Sequence, residues 1–269
     1  MTPPSHPPIT AYAVWSPTGQ SIAYVAKNDI YVIPSAAATS ESPIRVTYNG
    51  DTTLFNGVPD WVYEEEVFSS DFALWWSPDS TKIAFLHLDE TLVEEYTYPI
   101  YNPTEDSDAV VPYPGHVTMK YPKPGYHNPI VSVHVFELDR YRDAVSQGED
   151  DAEGHTVGLD WTGKHSDENR IVFEVVWVGN TELIIKEVNR AGEDGHVVYF
   201  DLDEEDLDER INGRVVRKLG RDGEEGDDGW IESVSPKYAS AVHILTHLLD
   251  SNRSSDPEGA LPYWELWVP

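Results

Sequence analysis

Ala73-Leu-Trp-Trp-Ser-Pro-Asp-Ser-Thr-Lys-Ile-Ala-Phe-Leu86 is the stretch on which the fold turns. It reads as a strand, a tight turn and a second strand. Pro78 fixes φ in the turn, and Ile83-Ala-Phe-Leu86 is rich in β-branched and aromatic residues. The same unit stands about sixty residues earlier as Ala13-Val-Trp-Ser-Pro-Thr-Gly-Gln-Ser-Ile-Ala-Tyr-Val25, matched position by position from Trp-Ser-Pro to Ile-Ala-aromatic. There Gly19 supplies a residue free to adopt positive φ. Asp29-Ile-Tyr-Val-Ile33 follows as a third strand.

A looser third copy is Glu174-Val-Val-Trp-Val-Gly-Asn-Thr-Glu-Leu-Ile-Ile185, with Gly179-Asn180 replacing the proline turn. A fourth strand pair is expected at His196-Val-Val-Tyr-Phe200 and Val215-Val-Arg-Lys-Leu219. Small antiparallel sheets repeating every 40 to 60 residues or so are the mark of a β-propeller. A β-sandwich with chance Trp-Ser-Pro turns is the alternative. The propeller is favoured because the copies match well beyond the turn. The expected fold is all-β, a partial β-propeller of antiparallel four-stranded blades with long loop insertions, over residues 11–269. Residues 1–10 form a Pro-rich arm. About three to four blades are expected. The pattern starts and stops mid-repeat, so the chain reads as an internal piece of a larger propeller. His243-Ile-Leu-Thr-His247 lacks the glutamate of a zincin motif and reads as a strand. Tyr263-Trp-Glu-Leu-Trp-Val268 reads as a final strand. The segments 98–115, 201–209 and 223–229 read as surface loops, the last two acidic and without EF-hand spacing.

Composition narrows the function. The 269 residues carry a formal charge of −30. That excludes the basic stripe on which nucleic-acid affinity rests, so no nucleic-acid partner is expected. There is no cysteine, hence no disulfide, thiolate metal site or cysteine nucleophile. No metal or other cofactor is expected. The N-terminus lacks an apolar h-region, and no run of about eighteen apolar residues occurs. One N-glycosylation triplet, Asn252-Arg253-Ser254, matters only on the secretory route.

Three consecutive carboxylates, Glu64-Glu65-Glu66, sit between aromatic and apolar residues in Asp60-Trp-Val-Tyr-Glu-Glu-Glu-Val-Phe68. Like charges at this spacing raise one another's pKa unless a cation arrives. From residue types alone the cluster is either a solvated face or a receptor for something positive. Adjacent residues diverge on a strand or helix, so at most two readily converge on one ligand.

The run Asn56-Gly-Val-Pro-Asp-Trp-Val-Tyr-Glu-Glu-Glu-Val-Phe68, followed by Ala73-Leu-Trp-Trp-Ser-Pro78, resembles the propeller of the dipeptidyl peptidase IV family, serine exopeptidases also called dipeptidyl aminopeptidases. The resemblance continues through Val111-Pro-Tyr-Pro114, Tyr121-Pro-Lys-Pro-Gly125 and Asn128-Pro129. In the style of the fungal members it runs on through Val176-Trp-Val-Gly-Asn180 and Gly223-Glu-Glu-Gly-Asp-Asp-Gly-Trp230. It thus covers most of the chain from Val14 to Trp230. It implies a propeller that caps an α/β-hydrolase domain and grips the free α-ammonium of a peptide substrate. The second and third glutamates of the motif, Glu65 and Glu66, are the implied clamp, with Glu64, Trp61 and Tyr63 in support. Two carboxylates satisfy an ammonium's three donors with charge-assisted bonds. Two extended residues span about 7 Å, so pinning the N-terminus measures out a dipeptide. Ser69 reads as a small polar turn residue.

The resemblance also implies release of Xaa-Pro or Xaa-Ala dipeptides and possible homodimers. It implies a vacuolar or secretory setting, membrane-anchored or secreted. No Gly-x-Ser-x-Gly nucleophile elbow occurs in the 269 residues, and Ser16 and Ser77 fall in propeller turns. The expectation is a fragment that is inactive alone, with the hydrolase domain absent. A propeller that binds proteins through acidic loops, or one that binds peptide N-termini without cutting, are the competing readings.

Overall fold

The computed structural model describes residues 10–37, 42–148, 151–203, 210–220 and 231. The first sheet is an antiparallel meander of β1 (Tyr12–Trp15), β2 (Ile22–Ala26), β3 (Asp29–Ile33) and β4 (Ile44–Arg45). A short strand, β5 (Leu54–Asn56), then leads into the carboxylate segment. The second Trp-Ser-Pro copy opens a second antiparallel unit of β6 (Leu74–Trp76) and β7 (Lys82–Asp89). Two strands, β8 (Glu95–Ile100) and β9 (Gly115–Lys120), pair only with each other. The unit resumes with β10 (Ile130–Glu137), a nine-residue helix α1 (Leu138–Ser146) and β11 (Thr156–Trp161). A third antiparallel unit follows as β12 (Arg170–Trp177), β13 (Glu182–Asn189), β14 (Asp194–Asp201) and β15 (Arg210–Gly220). The described residues thus form an all-β partial propeller of four-stranded blades.

Two expectations are refined. The segments at His196–Phe200 and Val215–Leu219 do not begin a new unit. They are β14 and β15, which complete the blade that the third copy starts. Part of the presumed loop at 98–115 is strand, because β8 and β9 close a hairpin from Glu95↔Lys120 to Ile100↔Gly115. The strands read at 243–247 and 263–268 and the acidic stretch at 223–229 lie outside the described residues.

Burial explains why the repeats read as near-continuous apolar runs. Alternation along β7 sends Ile83 and Phe85 to one face and Ala84, Leu86 and Leu88 to the other. The first pair packs with Ala23, Val25, Ile30 and Val32 of the first blade. The second set packs with Val172, Val175, Leu183 and Ile185 of the third. The middle blade is therefore buried on both faces and has no solvent side to mark with polar residues. Blades two and three also join edge to edge, through the parallel pairing of Gly158–Trp161 with Arg210–Gly213.

The Trp-Ser-Pro turns have a specific job. The Ser16 hydroxyl accepts the Ser21 N–H at 3.1 Å. The Ser77 hydroxyl accepts the N–H groups of Thr81 and Lys82 at 3.2 and 2.9 Å. Gly19 takes φ +73°, as its place in the turn requires, and Ser80 holds the matching position at φ +67°. The two turns also touch, with the Thr18 N–H donating to the Ser80 hydroxyl at 3.0 Å. Ser77→Ala leaves the Lys82 amide without its acceptor, whereas the Thr81 amide keeps the Asp79 carboxylate at 3.2 Å. It should cost about 1–3 kcal/mol, read as a lower urea midpoint with unchanged m-value. An unchanged midpoint would show that water replaces the hydroxyl.

Candidate functional site

The carboxylate segment lies between the first and second blades and is neither strand nor regular α-helix. Tyr63–Phe68 forms a wide π-helical turn. Asp60 starts it. This residue is buried, and its carboxylate accepts the Tyr63 N–H at 3.1 Å and the Val62 N–H at 3.3 Å. It thereby satisfies donors that a helical start leaves orphaned. Ser69 ends the turn in the left-handed region at φ +49°, its N–H directed at the Glu64 carbonyl.

Tyr63 is the anchor. Its ring is 1% exposed, and its hydroxyl accepts the Val172 N–H at 3.2 Å. The register of β12 against β13 slips between Val172 and Glu174. The amide that Tyr63 caps therefore sits at a bulge. Phe68 packs edge-on against Tyr63 at 5.5 Å and against Trp75 at 5.8 Å. Trp61, half-buried, lies 4.9 Å from the Tyr121 ring. The aromatic residues thus face the protein, and the intervening Glu64, Glu65 and Glu66 are all exposed.

Glu64, Glu65, Ser69, Ser70 and Asp71 line an open depression of about 430 Å³. Glu66 is not among the lining residues. None of the five is basic, and three are carboxylates. Partial burial, then the like charges of Glu65 and Asp71, raise the Glu64 pKa. An ammonium entering this depression would gain charge-assisted bonds and relieve that repulsion. Sequence reasoning missed Asp71, five residues beyond the glutamate triplet; its acidic side chain was the one available signal.

Beneath the turn lies a second acidic pair that sequence reasoning also missed. Asp60 and Glu90 are both buried and share a hydrogen bond. Burial raises both pKa values, Asp60 to about 6 and Glu90 to about 8, the latter raised further by the neighbouring Asp60 charge. Lys120 offsets part of this for Glu90. Near neutrality the pair therefore holds one proton between its carboxyls. In the unfolded chain Glu90 returns to its ordinary 4.5. Between that value and about 8 the native state binds the extra proton, so stability falls as pH rises through this window. Below 4.5 both states are protonated, and above about 8 neither is. Glu90→Gln should flatten this component. The wild-type minus variant stability, from urea unfolding at pH 5 and pH 8, should be larger at pH 5. A difference independent of pH would exclude the shared proton.

Among the described residues no helix is long and apolar enough to cross a membrane.

Comparison with known proteins bears on this geometry. The family model for the dipeptidyl peptidase IV N-terminal region matches residues 1–254. Probable dipeptidyl-aminopeptidase B of Podospora anserina is 38% identical over 224 residues, covering 82% of this chain and 22% of that protein. The protein of the same name from Chaetomium globosum is 37% identical over the same length and shares. The chain therefore spans 22% of the length of these relatives. Among solved structures, dipeptidyl peptidase 4 of Porphyromonas gingivalis superposes with a TM-score of 0.60 at 24% identity, covering 79% of this chain and 26% of that one. That last likeness speaks to the fold alone.

Proposed function

Because the chain belongs to the dipeptidyl peptidase IV N-terminal region family, we propose that it supplies the acidic receptor for the N-terminal ammonium of a peptide substrate. Glu65 and Glu66 are the proposed clamp, with Glu64, Trp61 and Tyr63 holding it in place. The observation that carries this reading is the π-helical turn itself. It buries Tyr63 and presents Glu64, Glu65 and Glu66 to solvent, with Glu64 and Glu65 lining an acidic depression that no basic side chain lines and Glu66 next in the same turn.

The clamp is a ruler and performs no acid–base step. An ammonium held here sets the start of the substrate, and about 7 Å of extended chain brings the bond after residue two to a nucleophile. That nucleophile is the serine of an α/β-hydrolase domain, which is the chain's proposed functional partner. The intact assembly releases N-terminal dipeptides, with Pro or Ala preferred at the second position by a pocket of the hydrolase domain. The proposed setting is vacuolar or secretory, membrane-anchored or secreted. A second copy of the chain is a further proposed partner. The exposed Tyr101 and Tyr113 beside the β8–β9 hairpin offer apolar area for it.

The test is a titration of a short Xaa-Pro peptide with a free and with an acetylated N-terminus. The free amine should bind and the acetylated form should not. Glu65→Gln and Glu66→Gln should each weaken the free peptide by about tenfold or more. That is the effect of losing a charge-assisted bond worth about 1.5–3 kcal/mol. Equal binding of both peptides would overturn the clamp. The chain alone should leave a dipeptidyl reporter intact, and turnover that survives purification and inhibitor controls would refute the division of labour.

A further inference from the structure

We propose that His165, Glu187 and His196 form a binding site for a divalent transition-metal ion of the zinc class. The site lies at one end of the third blade, apart from the carboxylate turn, and is independent of the peptide reading.

Strand alternation places Glu187 on the same face of β13 as Leu183 and Ile185, both core residues. A carboxylate therefore continues an apolar row, and its side chain is 0% exposed. His196 stands directly opposite on β14, in register with Glu187. His165 reaches the same point from the segment between β11 and β12, its Nδ1 2.5 Å from Glu187 Oε1. His196 Nδ1 is 3.6 Å from that oxygen, and His165 Nε2 is 3.5 Å from Asp194 Oδ2. One donor atom from each of His165, Glu187 and His196 falls within a 4.8 Å span.

What points to a ligand is a buried carboxylate oxygen left without a partner among these donors. Glu187 Oε2 is buried and makes no hydrogen bond, on a side chain that is 0% exposed. The His165–Glu187 bonds use only Oε1 and leave this second oxygen free beside the two imidazoles. The nearby Arg170 does not resolve it. Its guanidinium donates to the carbonyls of His165 and Val131 and to Asp167. One carboxylate and two imidazoles are a donor set that zinc takes with a further position left to water. Imidazole with carboxylate suits zinc and its neighbours and not calcium or magnesium, which take all-oxygen shells.

Ligand bonds of about 2.0–2.2 Å separate adjacent donors by just over 3 Å. The 3.6 Å approach of His196 to Glu187 is near that spacing. The shorter His165–Glu187 contact opens by less than about 1 Å as the metal takes the place of any proton between them. That proton leaves to solvent.

The experiment uses the full chain, stripped with chelator and then equilibrated with ZnCl2 or CoCl2 at pH 7.5. Bound metal is counted by mass spectrometry after gel filtration, and affinity is read by competition with a chromophoric chelator. We expect one equivalent bound, a higher unfolding temperature with zinc than with chelator, and a visible Co²⁺ spectrum with nitrogen ligands. His165→Asn and His196→Asn should each lower affinity by about tenfold or more, whereas His116→Asn, exposed on β9 of a hairpin that pairs with no strand of the third blade, should not. The wild-type Co²⁺ spectrum does not depend on any variant folding. Its absence, or retention of less than about a tenth of an equivalent, would overturn the site. So would folded His165→Asn and His196→Asn variants that bind as tightly as wild type. In that case the cluster is a hydrogen-bonded acid–imidazole group holding water.

Discussion

A single phenol sets the geometry of the carboxylate turn. Tyr63 is buried to 1% exposure and caps the Val172 amide, which a bulge in β12 presents to it. The bond spans 109 residues of sequence and ties the segment between the first two blades to the third. Once that side chain is committed inward, the residues that follow have little choice. Phe68 stacks back on Tyr63 and Trp75, and the glutamates between them face water. An unsatisfied amide at a buried bulge is costly. The anchor therefore repairs a defect in one blade while it positions a charged surface on another segment.

The buried acids show the same economy of position. Asp60 caps the turn and must be near the Tyr63 amide, yet burial beside Glu90 makes two negative charges untenable. A shared proton resolves the conflict, and it links the turn to the end of β7. At the far side of the same core, Glu187 ends an otherwise apolar row among two imidazoles. In both places a carboxylate is tolerated in a blade interface because something else compensates it, a proton in one and hydrogen bonds from His165 or a bound cation in the other. Blades packed face to face leave few alternatives, since neither surface of the middle blade reaches solvent.

The repeated Trp-Ser-Pro unit was readable because its physics is local. A proline, a serine hydroxyl that accepts nearby amides and a left-handed residue lie within a few positions of one another. The loop read at 98–115 holds from 101 to 114, but its two ends belong to β8 and β9, whose ladder joins residues up to 25 apart and so leaves no local pattern. β14 and β15 were read as a strand pair, as they are, but not as the partners that complete the blade of β12 and β13. Periodicity reports that a segment is extended and says nothing of its neighbour.

The chain's own chemistry determined the all-β class, the spacing of the turns and the presence of a glutamate triplet flanked by aromatic residues. These follow from residue identities over short spans, where propensity and alternation act. The tertiary structure alone decided that the triplet sits on a π-helical turn, that Asp71 joins Glu64 and Glu65 around the depression, and that Glu66 is not among its lining residues. It alone brought Asp60 to Glu90, and His165 to Glu187 and His196. Those meetings depend on strand register and blade packing between residues that no local pattern connects.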